Sequence, residues 1–153
     1  MARVNVGVNP KFISDQHLIA ESVEIIMITG GLKKHKFQIK SPIPEKFNMG
    51  TGHINFFKNK IAYLNRRLKE VNTELNIRGI HAKTFIDESE YPKELVNDWS
   101  PTLSDSLIIR NRISERLITP LKARPNFHRY KKQIIEDITQ FSDNLYYSTL
   151  FAV

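Results

Sequence analysis

The sequence predicts an all-α fold, a compact single domain of three main helices joined by long loops, with a short additional helix near the C-terminus. Apolar residues recur at helical spacing in separate stretches, and cap or breaker residues bound those stretches. The chain has 153 residues, which suits one domain with a substantial core.

The first helix starts at Ser14 or Asp15, either a good N-cap, and runs to about Ile28, ahead of Gly30-Gly31. Leu18, Ile19, Ile25 and Ile26 supply apolar surface, while His17, Glu21 and Glu24 share one stripe. Such a stripe marks either a site or a solvated face. The second helix is carried by Ile61, Leu64, Leu68, Val71 and Leu75, spaced 3, 4, 3 and 4, with Gly79 as its C′ residue. Lys60, Arg66, Arg67 and Lys69 are assigned to its outer face, which makes it a scaffold element.

The third helix opens with Thr102-Leu103-Ser104-Asp105, a capping box with Asp in place of Glu or Gln, and closes at Pro120. Ile109, Ile113 and Leu117 form its buried side. Arg112 and Arg116 stand four apart on another face, where they can clamp consecutive phosphates or pair with acids such as Glu115.

Residues 36–57 are rich in Pro, Ser, Asn and Gly and are read as lacking extended regular structure. Their Gly50-Thr51-Gly52-His53 lacks the Lys-Ser or Lys-Thr of a phosphate loop, so the glycines are assigned to a positive-φ turn or close packing. His53 has no partners at metal-ligand spacing and is read as structural; no metal site is indicated. Aromatic and basic residues interleave from Arg124 to Lys132, a mixture that suits a nucleic-acid surface or core packing by Phe127 and Tyr130. Ile134, Ile138, Phe141 and Leu145 predict the terminal helix, and residues 133–153 are set apart as an extension to a domain spanning 1–132.

The net charge is +7, but residues 134–153 hold three acids and no Lys or Arg, so the rest carries 23 basic against 13 acidic residues, or +10. That concentration predicts a polyanionic partner, bound with strong salt dependence. Cysteine is absent, which excludes disulfides, thiolate nucleophiles and Cys-type zinc sites and fits a reducing compartment. No apolar run resembles a signal peptide or a membrane span, so an intracellular protein without a membrane partner is expected.

The initiator methionine is usually trimmed before a small residue, which would leave the α-amine of Ala2 free. With a reference pKa of about 7.7 to 8.0, roughly a tenth of such groups are neutral at pH 7. Such an amine can form an imine at a sugar aldehyde or C1′ carbon.

In order along the chain, Arg3-Val4-Asn5, Asp15-Gln16-His17-Leu18 with Ala20-Glu21 and Glu24, Lys34-His35, Ile43-Pro44-Glu45-Lys46-Phe47, Gly50-Thr51-Gly52-His53 and Phe56-Phe57 form an ordered set. Arg78-Gly79, the run from Ile108 to Arg116, and Arg124-Pro125 complete it. With this set the chain resembles the pyrimidine-dimer DNA glycosylases with AP lyase activity, of the phage endonuclease V type, over about residues 1 to 132. The resemblance implies that Ala2 attacks C1′ of the lesion sugar and that Glu24 stabilises the cationic sugar and moves protons during β-elimination.

It further implies that Arg3, Gln16, His17, Arg112 and Arg116 meet DNA, and Lys34, Arg129 and Tyr130 are assigned to the same surface, the last two from the interleaving of aromatic and basic residues. No cofactor is implied, and the partner is double-stranded DNA containing a lesion, bound by a monomer in a bacterial or virus-infected cell. Val23 and Met27 depart from the pattern, standing where basic residues are common in such enzymes. The alternatives are a glycosylase/lyase for another damaged or modified base and a non-catalytic DNA-binding module.

Overall fold

The computed structural model of the chain describes residues 3–123 and 129–135, with side chains in its last helix followed as far as Arg116. Among the described residues there are four α-helices, α1 (Asp15–Lys34), α2 (His53–Phe57), α3 (Ile61–Ile77) and α4 (Leu103–Ala123), followed by a small antiparallel hairpin of β1 (Arg129–Tyr130) and β2 (Gln133–Ile134). All-α architecture with three main helices is therefore what this sequence forms.

The core lies between α1 and α3 and extends under α4. Leu18, Ile25, Ile28 and Leu32 of α1 meet it from one side, and Ile61, Leu64, Leu68, Val71 and Leu75 of α3 from the other. Ile109 and Ile113 of α4 are fully buried, as their four-residue spacing requires. The segment before α1 belongs to the same core, because Val4, Val6, Val8 and Ile13 are all inaccessible to solvent. The segment from Val4 to Ile13 therefore threads through the core.

Gly7 makes that threading possible. Its φ is +72°, and a Cβ at this position would collide with the Ser106 hydroxyl of α4. Gly7→Ala should destabilise the protein by about 1–2 kcal/mol from the left-handed backbone alone, plus the clash. A thermal melt checks this, and an unchanged midpoint would refute the close approach.

Arg78, buried at the end of α3, ties the same segment down by donating to the carbonyls of Ile13 (2.7 Å) and Pro10 (3.0 Å) and to Asp15 (2.8 Å). Asp15 in turn accepts the Lys131 and Lys132 amides at 3.0 and 2.7 Å, which fastens the β1–β2 turn to α1. The predicted C-terminal closure of α3 and N-terminal cap of α4 form as read. The Ile80 N–H reaches Leu75 O and the Gly79 N–H reaches Asn76 O, a Schellman closure with Gly79 at φ +76°. Thr102 and Asp105 exchange bonds of 2.9 and 3.2 Å in a reciprocal capping box.

Several boundaries differ from the sequence reading. The first helix does not stop near Ile28 but runs through Gly30-Gly31, because two glycines weaken a helix by about 1 kcal/mol each without terminating it. Burial of Thr29 and Leu32 offsets that loss. The closing left-handed position falls instead on Lys36, at φ 53°. Pro120 does not end α4, which continues to Ala123, since proline's own φ is compatible with a helix.

The 36–57 stretch lacks extended regular structure, as read, and holds the one-turn helix α2 at its end. Ile134, read as the start of a terminal helix, sits in β2 instead. The remainder of that predicted helix, and the side chain of Leu117, lie outside the described residues.

Candidate active site

Of the three buried carboxylates of helix α1, Asp15, Glu21 and Glu24, the last two stand one turn apart, and neighbouring elements treat them differently. Glu21 is fully enclosed and fully partnered, receiving Arg67 Nε at 2.6 Å, Arg67 Nη2 at 3.0 Å and Asn5 Nδ2 at 2.9 Å. Burial works against the Arg67 charge, but the Glu21 carboxylate outweighs it and holds the guanidinium pKa above its usual range. The Glu21 contact to Asn5 also fixes the N-terminal segment against α1.

Glu24 is only 5% exposed, yet its Oε1 meets no hydrogen-bond donor among the described residues. A buried carboxylate oxygen left without a donor is expensive for a fold to keep. Burial raises its pKa above the ordinary value, and the positive charges of Arg3 and Arg112 pull the other way. The Arg112 guanidinium is itself pushed down to about 10, by burial and then by the like charges of Arg116 and Arg3. Glu24, Arg3 and Arg112 thus share one electrostatic neighbourhood, with exposed Arg116 beside it. A carboxylate of raised pKa ringed by cations can carry a proton, stabilise a nearby cation and draw in an anion.

A second group lies at the start of α1. Gln16 Oε1 accepts the Arg129 N–H at 2.7 Å, and the Tyr130 hydroxyl donates to Lys11 O at 2.6 Å while Arg78 lies over its ring at 4.8 Å. Gln16, Ala20 and Glu24 are four apart, so this group stands two helical turns, about 12 Å along the axis, from Glu24. His17 is half-buried in the first turn, its N–H reaching Ser14 Oγ at 3.4 Å. Lys34 is exposed at the far end of α1, on the opposite side of Glu24 from Gln16. Ala2 lies outside the described residues.

Two features escaped the sequence reading. Arg67 is not on the outer face of its helix but buried as the partner of Glu21. Its position three after Leu64 and four before Val71 places it on the apolar stripe, which was the available signal. The other is the link from α2 to the N-terminal segment, where His53 Nε2 accepts the Val4 N–H at 3.1 Å. Gly52 allows α2 its position by close packing rather than by positive φ, since a Cβ would press on Asn48 and Pro44.

Burial, joined by the charges of Arg3 and Arg112, lowers the His53 pKa to about 4 from 6.5. Between these values the unfolded chain binds the extra proton and the native one does not, so this group's contribution to stability is lost as pH falls from 6.5 towards 4. Urea unfolding of His53→Gln should lack that component, and an identical pH dependence in the two proteins would contradict it.

Among the described residues no helix is long and apolar enough to cross a membrane. A family model described as pyrimidine dimer DNA glycosylase matches residues 1–88, a span that holds the N-terminal segment, α1, α2 and α3 and so Arg3, Glu21, Glu24 and His53.

Proposed function

We propose that this chain, which belongs to the pyrimidine dimer DNA glycosylase family, excises its lesion through the α-amine of Ala2 and then cuts the strand as an AP lyase. The observation that carries this reading is Glu24, enclosed, with one oxygen unclaimed and Arg3 of the N-terminal segment close enough to perturb it. Position 2 is one residue away from Arg3, and consecutive Cα atoms are only about 3.8 Å apart. The amine of residue 2 is proposed to lie against the carboxylate.

The proposed sequence begins with the neutral amine attacking C1′, while the glycosidic bond breaks and the base departs with the electron pair and takes up a proton. Loss of a proton from nitrogen and opening of the sugar leave an imine at C1′. Glu24 stabilises the positive charge that develops there and assists the proton movements. Removal of a C2′ proton then expels the 3′ phosphate by β-elimination, and water releases the imine. Arg3 and Arg112 hold phosphates beside the reacting sugar, and Gln16, His17, Lys34, Arg116, Arg129 and Tyr130 extend the contact along double-stranded DNA.

Incubation with duplexes bearing a pyrimidine dimer or an abasic site tests this. Nicking of both, and a covalent protein–DNA adduct after borohydride reduction, are expected. Binding without nicking or adduct would favour a non-catalytic module, and nicking confined to another modified base would move the substrate. Arg112→Ala should weaken DNA binding and reduce the slope of log affinity against log salt by about 1. An unaltered slope would remove Arg112 from the phosphate contacts.

A further inference from the structure

We infer that His53 is a positioning residue for the reaction proposed above, setting where the nucleophilic chain end lies against Glu24 by accepting the Val4 N–H. The inference rests on the reading that the amine of Ala2 is the nucleophile. The ring is 1% exposed and is used at both ends: Nε2 lies 3.1 Å from Val4 N, and Nδ1 lies 2.9 Å from Asn48 O. Only one tautomer satisfies both partners, with the proton on Nδ1 and a lone pair on Nε2. Phe47 and Phe57 hold the ring edge-on at 5.4 and 5.2 Å, so the acceptor cannot swing away.

Val4 is followed by Asn5, which Glu21 grips one turn before Glu24 on the same helix. Two successive residues are thereby clamped, Val4 from α2 and Asn5 from α1. The chain leaves this clamp towards its start with only Arg3 between Val4 and position 2, a reach of at most about 7 Å. A shift of Val4 therefore moves the point from which residue 2 extends, while the carboxylate stays with α1. Burial and the charges of Arg3 and Arg112 keep the imidazole neutral at neutral pH, so the acceptor is present when the enzyme works.

The test compares wild type with His53→Phe, which keeps a ring but offers no acceptor, and with His53→Gln, whose amide oxygen can take the place of Nε2. A third variant inserts one glycine between Ala2 and Arg3, leaving the core and His53 untouched while displacing the amine. Each is measured for melting temperature, for affinity to duplex containing tetrahydrofuran, an abasic analogue that cannot form an imine, and for the single-turnover rate of borohydride-trapped adduct on abasic duplex.

A misplacement of about 1 Å can lower a rate 100-fold, so trapping should fall about that far in His53→Phe and in the insertion, with tetrahydrofuran affinity retained and His53→Gln close to wild type. Folded His53→Phe trapping at the wild-type rate would overturn the inference. Should that variant not fold, undiminished trapping by the insertion would do the same. Absence of any adduct with wild type would instead overturn the reading of the nucleophile, and the inference with it.

Discussion

Glu24→Gln should stop strand cleavage while leaving DNA affinity largely intact, with a loss in single-turnover rate of about 10² to 10⁴, the range of a positioned acid or base. The amide fills the same space and removes a negative charge, so binding to phosphates has no reason to weaken. What it cannot do is balance the positive charge at C1′ or exchange a proton. Cleavage and binding assays on the same abasic duplex separate the two effects, and cleavage at the wild-type rate would strip Glu24 of its role.

The same substitution should raise stability at neutral pH. Burial lifts the Glu24 pKa above the ordinary 4.5, so the native state binds the proton more tightly than the unfolded chain does. Stability from this group is greatest below the ordinary carboxylate range and is lost as pH rises through the native pKa. Glutamine cannot ionise, so its advantage over wild type should appear near neutrality and vanish on acidification.

The largest loss of stability is expected from Arg67→Met. Its side chain is 4% exposed and donates to both oxygens of Glu21 and, at 2.8 Å, to the carbonyl of Val8. Removing it leaves a fully buried carboxylate with Asn5 as its remaining described donor, and breaking a buried pair in this way costs about 3–5 kcal/mol. In a domain of this size each kcal/mol moves the melting point by roughly 2–4 °C, so a drop of about 10 °C is expected. Adding Glu21→Gln to the variant should restore part of it, because the stranded charge is then gone. A single variant that melts with wild type would show that the Glu21–Arg67 pair does not hold the N-terminal segment.

Helices α3 and α4 were legible because their information is local. The 3, 4, 3, 4 spacing and Gly79 define the first, and the Thr102–Asp105 exchange defines the start of the second. The end of α1 was not legible. Two glycines resemble a stop until the burial of Leu32 and the Lys36 closure are known, and both depend on tertiary structure. The partners of Glu21 and Glu24 were hidden for the same reason, since an identical residue type one turn away differs only in what other elements bring to it. His53 read as structural from its isolation, and its bond to Val4 spans 49 residues, beyond any pattern of spacing.

The central claim is that the chain's own α-amine bonds to the lesion sugar. The most direct measurement is proteolysis and mass spectrometry of the borohydride-reduced adduct with abasic duplex. The account predicts the reduced sugar on the α-nitrogen of Ala2, with Met1 removed, and no adduct once that amine is acetylated. A sugar attached to a lysine side chain, or an adduct that survives acetylation of the amine, would contradict it.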